Sequence, residues 1–207
     1  MAAWAGAPEA SSKGKPPMLS PDAQDAAVPS RHYDIVSLNL DLALDFPKRR
    51  IGGTATYTVQ QLSEGDLILD QVALNIQEVT IDGDGASWRT PGDTLVVEMP
   101  ERLVRGGQAV GAITYDAQPR TGLHFRDTGR GSPDDYPEVW TQGQKNDNRY
   151  WFPAWDHPND RFEYTGKVTG PPGWKMHTNS GVNLPSYLVM MAGGPYKELG
   201  DKRNRIW

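Results

Sequence analysis

The stretch that decides the fold is residues 36–46, which read VSLNLDLALDF. Apolar side chains occupy every even position of this stretch, and Ser, Asn, Asp, Ala and Asp occupy the odd positions. An alternation of period two places one face of a β-strand in a core and the other face in water. Such one-sided burial is typical of antiparallel sheets. The stretch therefore predicts a long antiparallel strand, which ends at Pro47 because proline has no N–H for the ladder.

The segments after this strand predict a many-stranded, all-β domain. Gly52 and Gly53 open a second run, residues 54–61, which is rich in Thr, Tyr and Val and predicts a hairpin around residues 45–53. Clusters of Gly, Pro and Asp separate shorter candidate strands. These candidates are residues 66–70, 75–81, 94–99, 109–115, 122–125, 138–141, 162–169 and 186–192. No helix longer than a turn or two is expected, so the pattern predicts an antiparallel β-sandwich or a strongly twisted sheet.

Composition limits the classes of function. The chain has 207 residues, of which 22 are Gly and 17 are Pro, and its net charge is −5. An acidic balance argues against a broad basic face for nucleic acid. The absence of cysteine excludes disulfides, thiol catalysis and thiolate metal sites. No segment approaches the roughly 18 consecutive apolar residues that a membrane span needs.

The first 30 residues differ from the rest of the chain. They are rich in Ala, Pro and Ser and show no periodicity, which predicts a flexible, disordered tail before one domain over residues 31–207. The tail lacks the apolar core of a signal peptide, so no intact leader is expected, and a shortened remnant of one is the alternative. Compartment therefore stays open between the cytoplasm and, if a leader was lost, a secreted or periplasmic location.

Catalytic chemistry is sparse in this sequence. The histidines are His32, His124, His157 and His177. No two of them have the short spacing that places two imidazoles on one helix face. Asp156 and Asp160 are a candidate carboxylate pair for glycoside hydrolysis. Their proline-flanked setting favours turn chemistry instead, with Arg161 or Arg149 neutralising the acids. We therefore predict no catalytic residue and no metal ligand.

Residues 118–158 combine aromatic side chains with Asp, Asn, Gln and Arg. The aromatic residues are Tyr136, Trp140, Tyr150, Trp151, Phe152 and Trp155. One interpretation is a long ordered loop whose aromatic side chains form a satellite core, which is the commoner role of such residues. The other is a binding surface, because aromatic groups with polar neighbours favour recognition sites.

Two motifs in this region resemble the end of the N-terminal domain of the M1 zinc aminopeptidases, the family of aminopeptidase N and leukotriene A4 hydrolase. Residues 138–144 read EVWTQGQ, and residues 147–161 read DNRYWFPAWDHPNDR. Four other segments resemble this domain in the same order. They are residues 31–34 (RHYD), 113–115 (ITY), 122–125 (GLHF) and 185–194 (PSYLVMMAGG).

The resemblance implies a saddle-like antiparallel β-domain that packs on a thermolysin-like zinc domain. The H-E-x-x-H and G-x-M-E-N motifs of that second domain do not occur here. The resemblance thus implies a fragment with no catalytic residue, metal or cofactor of its own, and zinc in the catalytic domain of the parent family. The implied partners are that catalytic domain in cis and the N-terminus of a peptide substrate, with no nucleic acid and no membrane span.

The resemblance also implies one functional position. In the family, the second Gln or Glu of the T-Q-x-Q/E motif helps to bind the free α-amino group of the substrate. That position is Gln144 here, with Gln142 beside it. The expected function is a substrate-anchoring and capping domain that is not catalytic in isolation. The alternative is a stand-alone β-sandwich binding or scaffold module whose aromatic region is the contact surface.

One segment departs from the family pattern. The family normally has two further strands between the turn that follows Trp174 and the P-S-Y-L run. Here residues 178–184 lead almost directly into Pro185. The departure predicts that a hairpin is missing near residues 178–185, which would expose neighbouring strand edges.

Overall fold

The computed structural model describes residues 30–128 and 136–197. The predicted disordered tail of residues 1–30 therefore lies, except for Ser30, outside the described residues. The strands are β1 (Tyr33–Asp45), β2 (Arg50–Gln61), β3 (Leu67–Asp70), β4 (Asn75–Ile81), β5 (Asp84–Gly85), β6 (Trp88–Arg89), β7 (Thr94–Val97), β8 (Gln108–Ala117), β9 (Leu123–Arg126), β10 (Glu138–Thr141), β11 (Phe162–Thr169), β12 (Lys175–Thr178), β13 (Val182–Leu184) and β14 (Met191–Gly194). Within residues 30–128 and 136–197, 3-10 helices span Asn148–Tyr150 and Ser186–Leu188. The predicted all-β fold class is confirmed.

The strands of the described residues form three sheets around one shared hydrophobic core. The largest sheet has the order β13-β11-β1-β2-β8-β4-β5, the second β12-β14-β10-β9, and the third β3-β7-β6. Strands β1 and β11 pair in parallel, whereas the other paired strands of the described residues are antiparallel. No helix among these residues has the length and apolarity needed to cross a bilayer.

The first strand follows the predicted alternation except at its start. The leucines at even positions 38–44 are buried, as predicted, but Val36 is only half-buried, and Tyr33 and Ile35 are buried instead. The register between β1 and β2 shifts between Ile35 and Ser37. A β-bulge adds one residue, and because side chains alternate with period two, one extra residue moves the preceding ones to the opposite face. Strict alternation was therefore wrong at Val36.

The predicted hairpin is present as β1 and β2, with Asp45 opposite Arg50. Strand β2 begins before the two glycines rather than after them. Gly53 has a φ of +146°, and a Cβ there would lie 2.2 Å from the Asp41 carbonyl oxygen. Only glycine has neither the strain nor the clash at this position, so the hairpin depends on it.

The predicted strand at residues 186–192 is wrong in its first half. Pro185 is extended with a φ of −75°, and the chain then turns into a 3-10 helix in which the amide of Val189 donates to the Ser186 carbonyl. Strand β14 begins only at Met191. Four further strands, β5, β6, β12 and β13, were not predicted, because segments of two to four largely exposed residues carry no clear alternation.

The segment that departs from the family pattern is a crossover between sheets. Strand β12 pairs with β14 in the four-stranded sheet, and β13 pairs with β11 in the seven-stranded sheet. Residues 179–181 join them, and Gly181 has a φ of +82°. Strand β13 pairs with β11 only from Phe162 to Tyr164. The missing hairpin stays a prediction.

Candidate functional site

Gln142 and Gln144 lie in the loop that follows β10. The Gln142 amide donates to the Gly122 carbonyl oxygen at 2.8 Å, so the ladder between β10 and β9 continues one residue beyond Thr141. Both glutamine side chains are exposed, and neither makes a hydrogen bond to a described residue. Their amide groups are therefore accessible to a ligand.

Two glycines let this loop pack tightly against its neighbours. A Cβ at Gly122, whose φ is +76°, would lie 1.9 Å from the Asp147 carbonyl oxygen. A Cβ at Gly143 would lie 2.5 Å from Asn148 Oδ1 and 2.7 Å from the Tyr187 carbonyl oxygen. Such distances leave no room for a side chain at either glycine. Close backbone packing at Gly122 and at Gly143 therefore holds residues 142–144, which we call the glutamine loop.

Asn148 is the fully buried polar centre behind the loop. Its Nδ2 donates to the carbonyl oxygens of Ser186 at 2.6 Å and Val189 at 3.2 Å. Its Oδ1 accepts from Trp151 Nε1 at 2.8 Å. A buried amide with satisfied partners rigidifies its surroundings. Asn148 therefore ties the glutamine loop to the turn before β14 and to the core.

A charged cluster lies next to Asn148 in the chain. Arg149 Nη1 is 3.3 Å from Asp70 Oδ1, and the Arg149 Nε donates to Asp156 Oδ2 at 3.4 Å. Ser186 Oγ donates to Asp156 Oδ1 at 3.1 Å. Burial raises the pKa of the Asp156 carboxyl, and the hydrogen bonds from Arg149 oppose that rise. The cluster joins β3, residues 149–156 and the turn before β14, so its role is to hold these segments together.

Asp160 serves a different part of the fold. Its Oδ2 accepts from the Ile35 amide at 3.1 Å and lies 2.8 Å from Arg31 Nη1. Burial raises its pKa to about 6. The predicted neutralisation by Arg149 holds for Asp156, but Arg31 pairs with Asp160, and the Arg161 guanidinium binds Asn183 instead. Each carboxylate thus has internal partners, which gives no support to a glycosidase pair.

The aromatic segment divides into two groups. Trp151, Phe152 and Trp155 are buried in the core, which supports the packing interpretation for them. Trp140, in β10 of the four-stranded sheet, is 38% exposed, and Tyr136, two residues before that strand, is 39% exposed. Strand alternation next to the fully buried Val139 is the signal that could have marked Trp140 as outward-facing.

No group of three or more His, Asp or Glu side chains in the described part of the chain could hold a metal ion. His32 is hydrogen-bonded to Ser63. His157 lies 3.4 Å from Asp70 Oδ2. His124 stacks on Trp140, with 5.4 Å between ring centroids. These imidazoles thus have separate local partners.

A family model matches most of the chain. The model of the peptidase M1 N-terminal domain matches residues 29–180. The chain therefore belongs to the M1 peptidase N-terminal domain family. The match ends within the crossover between β12 and β13.

Curated relatives of the chain are much longer proteins. The leukotriene A-4 hydrolase homolog of Botryotinia fuckeliana is 26% identical over 188 residues, which cover 74% of this chain and 29% of the relative. The leukotriene A-4 hydrolase of Xenopus laevis is 26% identical over 184 residues, which cover 84% of this chain and 29% of the relative. The chain thus spans less than a third of the relatives' length.

Solved structures share the fold. Native yeast leukotriene A4 hydrolase superposes with a TM-score of 0.69 at 23% identity, over 79% of this chain and 29% of that one. The M1 zinc metallopeptidase from Deinococcus radiodurans superposes with a TM-score of 0.66 at 18% identity, over 81% of this chain and 43% of that one. In these proteins the domain is one part of a larger M1 peptidase.

Proposed function

We propose that this chain is the substrate-anchoring and capping domain of an M1 zinc aminopeptidase and is not catalytic alone. The observation that carries the proposal is the glutamine loop. Gln142 and Gln144 are exposed in this chain, which belongs to a peptidase family, and their loop packs closely at Gly122, Gly143 and buried Asn148. A preorganised loop loses little entropy when a ligand binds.

The chemistry of this loop suits the free N-terminus of a peptide. The side-chain carbonyl oxygen of a glutamine accepts hydrogen bonds from an ammonium group. Because the amide is neutral, it holds the ammonium less strongly than a carboxylate does. Hydrolysis would use zinc-activated water in the separate catalytic domain of the parent family.

The first test uses the 207-residue chain alone. We expect no stoichiometric zinc by elemental analysis and no hydrolysis of aminoacyl p-nitroanilides. One tightly held zinc per chain, or steady hydrolysis that copurifies with the chain, contradicts the proposal.

The second test joins this chain to the part of the Deinococcus radiodurans M1 enzyme that it does not match. In that fusion, Gln144→Ala should lower kcat/KM for aminoacyl p-nitroanilides about 10- to 100-fold, mainly through KM, because a hydrogen bond to a charged group is lost. Gln144→Glu should lower KM. Substrates with an acetylated amino group should respond to neither change.

The matched control is Gln108→Ala, which removes an exposed glutamine from β8 in the seven-stranded sheet. It should leave kcat/KM unchanged. If Gln144→Ala affects free and acetylated substrates equally, the loop does not bind the α-amino group.

A further inference from the structure

We propose that Lys145 and Arg120, which lie beside the glutamine loop, select peptides whose first residue has an acidic side chain. The inference rests on the proposed function, because it names the substrate class of the same loop. The observation that carries it is an excess of cationic side chains next to Gln144, in a chain whose net charge is −5.

A second segment of the chain lies beside the glutamine loop. The Gly122 carbonyl oxygen accepts from the Gln142 amide at 2.8 Å. Thr121 Oγ1 donates to Asp147 Oδ2 at 3.3 Å. Arg120 directly precedes these two residues in the chain, so its side chain begins next to the loop.

The two segments carry an excess of positive charge. Residues 118–123 read QPRTGL, and residues 142–149 read QGQKNDNR. Together they hold three cationic side chains and one acidic side chain, although the chain as a whole is acidic. The acidic side chain offsets only one of the three positive charges.

Two of the three cations are available to a ligand. Arg149 is not, because it pairs with the carboxylates of Asp70 and Asp156. Arg120 and Lys145 are exposed, and neither forms an ion pair or a side-chain hydrogen bond with a described residue. Their charges therefore act on whatever binds at the glutamine loop.

This positive charge opposes the binding of an ammonium group alone. Like charges repel, and the neutral amide of Gln144 accepts hydrogen bonds without a full negative charge of its own. A carboxylate on the same ligand reverses the balance, because both cations attract it. The loop therefore suits a ligand that carries an amino group and a carboxylate close together.

Chain geometry assigns that carboxylate to the first side chain of the peptide. Consecutive Cα atoms are about 3.8 Å apart, so the Lys145 side chain begins close to that of Gln144. In a peptide the first side chain branches from the same carbon as the amino group. The carboxylate of an N-terminal Asp or Glu thus comes within reach of the flexible four-carbon stem of Lys145.

The backbone at Lys145 supports a role for this side chain. Its φ is +67°, a left-handed conformation that glycine and asparagine adopt at a lower cost than lysine. Residues in strained conformations of this kind cluster at ligand-binding sites. Because asparagine tolerates the conformation, Lys145→Asn removes the charge and keeps the backbone.

The test compares two substrates in the fusion with the Deinococcus radiodurans enzyme. The p-nitroanilides of α-glutamate and glutamine have nearly the same shape and differ by one negative charge, so the ratio of their kcat/KM values isolates the charge. Lys145→Asn should lower the ratio of glutamate to glutamine about threefold, the effect of one charge about 6 Å away in water. Lys145→Asp should lower it about tenfold, because reversal doubles the change in free energy. Arg120→Gln should lower it about twofold.

The matched control is Lys167→Gln. Lys167 is an exposed lysine of β11 in the seven-stranded sheet, and it forms no ion pair with a described residue. This variant should leave the ratio unchanged. Raising the ionic strength from about 0.05 M to about 0.5 M should shrink the difference between Lys145→Asn and the unmodified fusion, since salt screens exposed charges.

Three results overturn the inference. The first is a ratio that neither Lys145→Asn nor Lys145→Asp changes. The second is an equal fall of kcat/KM for both substrates, because the variants then disturb the loop and not its charge. The third is an equal fall of the ratio in Lys167→Gln, because the net charge of the chain then acts instead of the loop.

The charge test and the anchoring test fail independently. If Gln144→Ala leaves KM unchanged while Lys145→Asn lowers the ratio, the selection of an acidic first residue stands and the anchoring function does not. If Gln144→Ala raises KM while Lys145→Asn leaves the ratio unchanged, the anchoring function stands and the selection is wrong.

Discussion

Replacing Asn148 by alanine should destabilise the domain more than any other single truncation of a polar side chain near the candidate site. The change removes three hydrogen bonds, those to Ser186, Val189 and Trp151. The three partner groups lie around a side chain that has no exposed surface, so the hydrogen bonds are lost in the interior of the domain. Trp151 Nε1 and the Val189 carbonyl oxygen lose this hydrogen-bond partner, whereas the Ser186 carbonyl oxygen keeps the hydrogen bond from the Val189 amide.

The magnitude follows from these contacts. An unsatisfied buried polar group costs about 1–3 kcal/mol, and the two groups left without a partner, Trp151 Nε1 and the Val189 carbonyl oxygen, set the scale. The bond to Val189 is 3.2 Å long and counts least. Partial entry of water into the alanine cavity offsets some of the loss, so we expect about 3–4 kcal/mol less free energy of unfolding. This is a large part of the stability of an ordinary domain.

Urea unfolding followed by far-UV circular dichroism measures this change without relying on the fluorescence of Trp151, whose hydrogen bond is removed. The matched control is Asn179→Ala. Asn179 also clamps backbone groups, donating to Leu188 at 2.7 Å and accepting from Met190 at 3.0 Å, but it is only half-buried. Water can replace these bonds, so we expect about 1 kcal/mol. Equal losses in the two variants would refute the reasoning.

The remaining predictions concern the hairpin and one buried acid. Gly53→Ala should lower the free energy of unfolding by about 3 kcal/mol or more, because the new Cβ meets the Asp41 backbone. Gly83→Ala is the control: Gly83 has a φ of +90° but open space around it, so the loss should be about 1 kcal/mol. Thermal or urea unfolding measures both losses, and equal losses would contradict the clash at Gly53. Asp160 has its folded pKa raised to about 6. The protonated carboxyl therefore favours the folded state. Its contribution to the free energy of unfolding is fully present below the unfolded pKa of about 3.9 and is lost as pH rises through 6. Between pH 4 and pH 7, the free energy of unfolding of Asp160→Asn should therefore rise by about 2–3 kcal/mol relative to that of the unmodified chain. A difference between the two proteins that does not depend on pH would contradict this.

The sequence predicts the fold well where burial is one-sided over many residues. Strands β1 and β2 follow from alternation and β-branched content, because period two is visible over ten or more positions. The bulge at Val36 does not follow, since it depends on pairing with β2. The short strands β12 and β13 do not follow either, because neighbouring strands rather than their own residues define them.

The candidate site was found by its motif and not by its chemistry. Gln142 and Gln144 were singled out by resemblance, and the structure adds that both are exposed. Asn148 was missed, because nothing local distinguishes a buried asparagine from one in a polar loop. Its three partners are 3 to 41 residues away. Contacts between distant segments of this kind are set by the fold as a whole.

The backbone of the glutamine loop links stability to the proposed function. Lys145, directly after Gln144, has a φ of +67°, a left-handed conformation that costs a residue with a Cβ about 1 kcal/mol or more. Such strain persists only where surrounding contacts outweigh it, and here the clamp of Asn148 and the close packing at Gly143 supply them. Weakening the clamp would let Lys145 relax toward negative φ and turn the preceding peptide. Loss of stability in Asn148→Ala and loss of amino-group binding at Gln144 should therefore occur together, although Asn148 itself contacts no substrate.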